Sequence, residues 1–144
     1  MITLEKFRSL RLQDYVPAEV IDRSDAWEWM GRTWVGHSVG FTCWLRCPET
    51  PDQLRSLSLD LGSLSSSVSE RVFQDLELCL RPGKALKEVE ATLGAPDSVE
   101  SFVPDRSSYL FLHDDYHVDC TIHESSGLLY IVITEAPFAE PELS

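Results

Sequence analysis

Positive charge is scarce in this 144-residue chain: 12 Lys and Arg stand against 24 Asp and Glu, a net charge of −12 at neutral pH. The shortage is sharpest over residues 97–144, where ten acids face one base, Arg106, for −9. Nucleic acid and anionic lipid are bound by neutralising phosphates with cationic side chains, so neither is an expected partner. A basic protein partner is. Long apolar runs are also missing, and no stretch approaches the roughly 20 apolar residues that cross a bilayer, so no membrane is expected. The segment 1–8 has no basic n-region, no apolar h-region and no small-residue cleavage site, which leads us to expect a cytoplasmic protein. Cysteine is limited to Cys43, Cys47, Cys79 and Cys120, and the spacing of Cys43 and Cys47, with three residues between, suits neither a redox pair nor a zinc knuckle. Free, partly buried thiols are expected. The chain has no glycine-rich phosphate loop, no dinucleotide fingerprint and no internal repeat, so no cofactor is expected.

What is present is a globular composition, 43% hydrophobic and 25% charged, long enough for one domain with a real core. The stretch from Leu80 to Ile133 organises it. Leu86, Val89 and Leu93 share one helical face, with Lys84, Lys87, Glu88 and Glu90 on the other. Gly94 can adopt the positive φ that closes a helix, and Pro96 cannot continue one. At the start, Gly83 is only a fair N-cap. Downstream, residues 107–112, 116–123 and 128–134 read as consecutive antiparallel strands, with turns at His113-Asp114-Asp115 and Glu124-Ser125-Ser126-Gly127. In the middle strand Tyr116, Val118, Cys120 and Ile122 face one way and His117, Asp119, Thr121 and His123 the other, the pattern of a sheet with a core side and a wet side.

Upstream, Ser67 with Glu70 forms a candidate capping box for a helix through Val68, Val72, Phe73 and Leu76. Residues 22–47 read as β structure containing all four tryptophans, Trp27, Trp29, Trp34 and Trp44, with Gly31-Arg32 as a hairpin turn. Thr3 can cap a short helix on which Leu4, Phe7 and Leu10 align, although Ile2 and Leu4 also alternate. Thr50-Pro51 resembles a helix start, yet Leu57, Leu59 and Leu61 alternate as in a strand. The predicted fold is α+β, an antiparallel β-sheet with two or more helices packed on one face. It spans one domain over residues 1–134, with an acidic, proline-bearing tail over 135–144. Whether residues 1–62 join the same sheet is left open.

The order helix, Arg-Pro-Gly, helix, Leu-Gly-Ala-Pro and three-stranded meander resembles the domain of SmpA/OmlA-type outer-membrane-assembly lipoproteins and the related β-lactamase-inhibitor-protein fold. Pro82, Gly83, Val89, Leu93, Gly94 and Pro96 carry the resemblance, with Tyr109-Leu110-Phe111 and the run from Thr121 to Val132, over residues 68–134. It implies a two-layer α+β domain that binds proteins through a sheet face and its loops, without catalysis. The export signal and lipid-bearing cysteine of those lipoproteins are not matched here, so their periplasmic role does not transfer.

Three constellations could carry chemistry. Gly36-His37-Ser38-Val39-Gly40 fits the G-x-S-x-G nucleophile elbow, and Asp119 and His123 follow in the chain order of a triad. The elbow requires a helix directly afterwards, however, and Phe41 to Leu45 is strand-like. His113, His117 and His123, interleaved with Asp115 and Asp119, could hold a divalent metal if the imidazoles converged; otherwise they form a solvated polar face. The tryptophans are either core or, if partly exposed, a hot spot for a partner or a pocket wall. The reading these alternatives leave is a non-enzymatic binding module, of the immunity or inhibitor kind. Asp114, Asp115, His117, Asp119, His123, Trp34 and Trp44 would then meet a basic protein. A small hydrolase or metal-dependent enzyme, and a small-molecule sensor with a Trp-lined pocket, are the alternatives.

Overall fold

A computed structural model describes residues 2–47 and 49–136, with Phe102 described by its backbone alone. Thr3 caps the first helix as its spacing predicts: its hydroxyl accepts the Lys6 N–H at 3.3 Å, opening α1 (Leu4–Ser9) and burying Phe7. A 3-10 turn (Leu12–Asp14) and a one-turn helix, α2 (Ala18–Ile21), follow and put Val16 and Val20 into the same core. Next come β1 (Ala26–Trp29), β2 (Arg32–Val35), β3 (Thr42–Arg46) and β4 (Leu54–Asp60), then α3 (Ser66–Asp75) and α4 (Leu86–Leu93). The chain continues through β5 (Ser98–Val103), β6 (Arg106–Leu112), β7 (Tyr116–His123) and β8 (Gly127–Glu135). Among the described residues no helix is long and apolar enough to cross a membrane.

All eight strands form one antiparallel sheet in the order β1-β2-β3-β4-β8-β7-β6-β5. The joint is β4 against β8, with Leu57 opposite Ile133 and Leu59 opposite Ile131, so the N-terminal half extends the same sheet as the meander. Partners directly opposite in an antiparallel ladder share a face. One face therefore carries Val35, Trp44, Leu57, Leu59, Ile131, Ile133, Val118, Cys120 and Phe111, all buried in a single cluster with Phe7, Val20, Val68, Val72, Phe73, Val89 and Leu93 of the helices. Every α-helix thus contributes to the layer on that inner face. The α+β architecture expected from the sequence is present, with the sheet its larger part.

Two close approaches lock the connections. Gly40 sits at φ +97°, where an added Cβ would lie 2.2 Å from the Ser63 carbonyl oxygen, so only glycine lets the β2–β3 loop rest on the segment before α3. Gly127, at φ +76°, would bring a Cβ to 2.2 Å from the Gly83 oxygen. There the Pro82-Gly83 loop pairs with β8 through Gly83 N–H to Leu128 O (3.0 Å) and Leu128 N–H to Lys84 O (2.8 Å), which fixes where α4 begins. A third lock is electrostatic. The Glu135 carboxylate is buried and accepts hydrogen bonds from the guanidinium groups of Arg8 on α1 and Arg55 on β4.

Several boundaries differ from the sequence reading. Glu135, expected to open a tail, is the last residue of β8, because two arginines distant in sequence converge on it. The rest of that predicted tail, from 137, lies outside the described residues. β5 was not anticipated; a bulge between Glu100 and Val103 breaks the period-2 pattern that marks a strand. The first hairpin turns at Met30-Gly31, both at positive φ, one residue earlier than expected. Ser67 is not a cap: α3 starts after Ser65, and Ser67 bonds the Ser65 hydroxyl instead. For α4 the N-cap is Ala85, whose N–H is received by the Glu88 carboxylate, and Gly94 closes the helix at φ +88°. After Thr50-Pro51 the strand signal prevailed over the helix signal.

Candidate functional site: the outer face of the sheet

Register defines a second face, on which no described helix packs. One row runs across all eight strands, Trp27, Trp34, Cys43, Ser58, Val132, Asp119, Leu110 and Ser98, each directly opposite the next. The outer face is therefore aromatic at the β1 edge, small and hydroxylic in the middle and acidic towards β5.

At the acidic end, His117, Asp119 and Thr121 of β7 face outward as the alternation predicts, with His117 exposed and Asp119 half-buried. Glu100 of β5 stands on the same face, opposite Ser108, which is opposite Thr121. Burial raises the Asp119 pKa above the ordinary aspartate value, and repulsion from Glu100 raises it further. Neither carboxylate has an ion-pair partner among the described residues. Asp114 and Asp115, both exposed, occupy the β6–β7 turn, which the His113 N–H closes onto Tyr116 O at 3.0 Å. Together these residues make a negative surface in which, of the carboxylates, Asp119 alone is half-desolvated.

At the other end, Trp27, Trp34 and Trp29 form a stacked ladder, with ring centroids 5.9 and 6.5 Å apart and interplanar angles of 12° and 26°. Trp27 is 47% and Trp29 52% exposed, and Met30 beside them is also exposed. Trp44 is not part of this surface. It lies on the inner face, 2% exposed, with its ring tilted against Tyr15 at 5.8 Å and its indole N–H donated to Thr42. Its side chain is core, since successive strand residues alternate and Cys43 and Leu45 take the outer positions.

The catalytic and metal alternatives are not assembled. Ser38 lies in a loop that leads into β3 with no helix after it, and its hydroxyl bonds Asp25. Asp119 is placed mid-sheet on β7, which β4 and β8 separate from β3. His123 is withdrawn from the outward row: its Nδ1 accepts N–H groups of Ser125 and Ser126 at 3.1 Å each, past a register shift between Thr121 and Ile122. That fixes the proton on Nε2 and turns the ring to the turn and a cleft of about 640 Å³ beside the start of α4. His113 stacks on Tyr116 at 4.8 Å. Among the described residues no three His, Cys, Asp or Glu side chains are grouped to hold a metal, so His113, His117 and His123 form no site. The 370 Å³ cleft between α2 and the sheet is bordered by Trp44 alone of the four tryptophans.

Cys47, expected only as a free thiol, has an acidity that the sequence did not reveal. Hydrogen bonds from the Thr50 hydroxyl and from the N–H groups of Thr50 and Glu49 lower its pKa to about 7, and no spacing rule signals such a turn. Cys120 is the opposite case, driven up to about 12 by burial. All four cysteines are free thiols. Trp27, Trp29 and Glu100 were also missed as surface residues, although the shared face of Trp27 and Trp29 was readable.

No family model matches the chain, and no curated protein matches it either. Among solved structures it is similar to the crystal structure of a DUF4309 family protein (YjgB) from Bacillus subtilis subsp. subtilis str. 168, at 15% identity and a TM-score of 0.39. That likeness covers 79% of this chain and 66% of the other, so the chain spans just under two thirds of the length of the protein it resembles.

Proposed function

We propose that this protein is a non-enzymatic binding module whose outer sheet face, at its β5–β7 end, receives a basic protein. The observation that carries the reading is Asp119: a carboxylate held half out of water beside a second one, Glu100, with no cation paired to it among the described residues. Such a pair costs folding stability, and a partner's lysine or arginine would recover that cost on binding. Long-range attraction from the carboxylates at this end of the sheet, Glu100, Asp114, Asp115 and Asp119, would speed the encounter. The immunity and inhibitor classes fit this economy, and the resemblance of residues 68–134 to protein-binding lipoprotein and inhibitor domains points the same way. Cytoplasmic location belongs to the same proposal.

The test is capture at low salt with the wild-type chain and with Glu100→Gln/Asp119→Asn, two near-isosteric changes. Retention of a basic protein by the wild type, lost in the double variant and in high salt, is the expected result. Equal retention by both, or none by either, rejects the proposal.

A further inference from the structure

We infer that the β1 edge is a self-association surface, on which a second copy of this chain pairs antiparallel to the first. The hairpin geometry leaves the edge ready for it. Met30 and Gly31, at φ 52° and 78°, form a two-residue turn with both residues at positive φ, so the flanking pair Trp29–Arg32 is hydrogen-bonded. Bonded and non-bonded pairs alternate along such a ladder. Trp27 and Trp29 therefore spend their backbone groups on β2, as Asp25 does through Gly36 N–H at 2.8 Å. The Glu28 N–H and C=O point away from the sheet, at an edge that no described strand covers.

Self-pairing centred on Glu28 lets the two copies exchange those hydrogen bonds. It sets Trp27 of one copy opposite Trp29 of the other and extends the three-ring ladder to six rings across the two-fold axis. The two Glu28 side chains would oppose each other on the inner face. Each is met within its own chain by Arg46 at 2.9 Å and the Thr33 hydroxyl at 3.0 Å, so the like charges are already answered. Edge strands in monomers are guarded by shortness, lysine, proline or unanswered charge, and β1, though only four residues long, has none of the last three.

Charge selects the occupant. Residues 22–46 hold three acids and three bases, so this edge attracts neither a basic nor an acidic partner, whereas a neutral aromatic strand of the same kind complements it. The acidic β5 edge lies seven strand spacings away, roughly 34 Å. Two copies joined at β1 thus keep the acidic residues of β5–β7 at opposite ends of a sixteen-stranded sheet. About half of each of two indoles is available, roughly 120 Å² apiece, well below the ~800 Å² per partner of a tight complex, so the dimer is weak and concentration-dependent.

Sedimentation equilibrium of the full chain tests this. The expected result is a reversible rise from 16.3 kDa toward twice that mass, steeper at high salt because the net charges repel, with Trp emission shifting to the blue as the dimer forms. Glu28→Pro removes the outward N–H without touching the β1–β2 bonds, and should weaken association at least tenfold with an unchanged circular dichroism spectrum. Trp29→Lys, which puts like charge on both sides of the axis, should do the same and stands in if the proline variant does not fold. A chain that stays monomeric up to about 0.5 mM, where a weak dimer would already be populated, overturns the inference. So does a dimer that both variants leave intact.

Discussion

Replacing Glu135 by alanine should destabilise the whole molecule, although sequence position alone would assign it to a dispensable tail. The carboxylate is 4% exposed and is engaged by Arg8 and Arg55, whose side chains are 36% and 20% exposed. Removing one member of a buried ion pair costs about 3–5 kcal/mol, because the remaining charge is stranded. Arg8 keeps enough contact with water to be rehydrated, so most of the cost falls on Arg55, and about 2–4 kcal/mol is expected. For a chain of this size that is a fall in Tm of about 6–15 °C. Urea unfolding followed by Trp fluorescence would measure it, with Arg55→Ala and the double variant closing a cycle: the two single losses should sum to well over the double loss, since both break the same contact. The pH dependence carries a sign. Burial alone would raise the Glu135 pKa, but the Arg8 and Arg55 hydrogen bonds outweigh it and the net shift is downward. The contribution is therefore complete above the ordinary glutamate pKa, near 4.5, and is lost as pH falls below it; Glu135→Gln should show none of that acid-side loss. A Glu135→Ala protein within 1 kcal/mol of wild type would refute the view that this triad ties α1, β4 and β8 together.

Three other outcomes are expected. Asp119→Asn should stabilise the protein by a few tenths to about 1 kcal/mol at pH 7 and abolish retention of the basic partner; the folded-state pKa of Asp119 is raised, so its charged form costs stability above that pKa and the cost is gone below the unfolded value, near 3.8. Urea melts of wild type and variant at pH 7 and pH 3 would reveal the gain at the higher pH alone. Gly127→Ala should lose about 3 kcal/mol or more, given the positive φ and the 2.2 Å approach to Gly83, and denaturant midpoints would report it. Cys47 should alkylate with a midpoint near pH 7 while Cys120 stays inert until the chain unfolds, which mass spectrometry after iodoacetamide pulses at stepped pH would resolve.

Local signals were legible where they agreed with one another. Gly94 and Pro96 end α4, and the period-2 alternation of Tyr116 to His123 separates the core face of β7 from its wet face almost residue by residue. Signals that depend on distant partners were not. Nothing near Leu57 says that it will lie opposite Ile133, so the union of the two halves in one sheet is a consequence of long-range pairing alone. Glu135 sits at the start of an acidic, proline-bearing run, and only the folded positions of Arg8 and Arg55 distinguish it from its neighbours. The tryptophans show both limits. Trp27 and Trp29 were readable as one face, but a run of aromatics does not reveal which face the helices will cover, and Trp44 went to the core while the other three form the outer ladder. The candidate site was half visible: Asp119 and His117 came from alternation, whereas Glu100 was hidden by the bulge in β5 and His123 was diverted by the turn it caps.

The most direct test of the proposed docking face is a backbone-amide NMR titration with a short arginine-rich peptide as the probe. The account predicts shift changes concentrated on the outward residues of β5–β7, centred on Asp119 and Glu100 and extinguished in Glu100→Gln/Asp119→Asn. Changes scattered over the surface in proportion to its carboxylates, or gathered in the cleft beside α4, would contradict it.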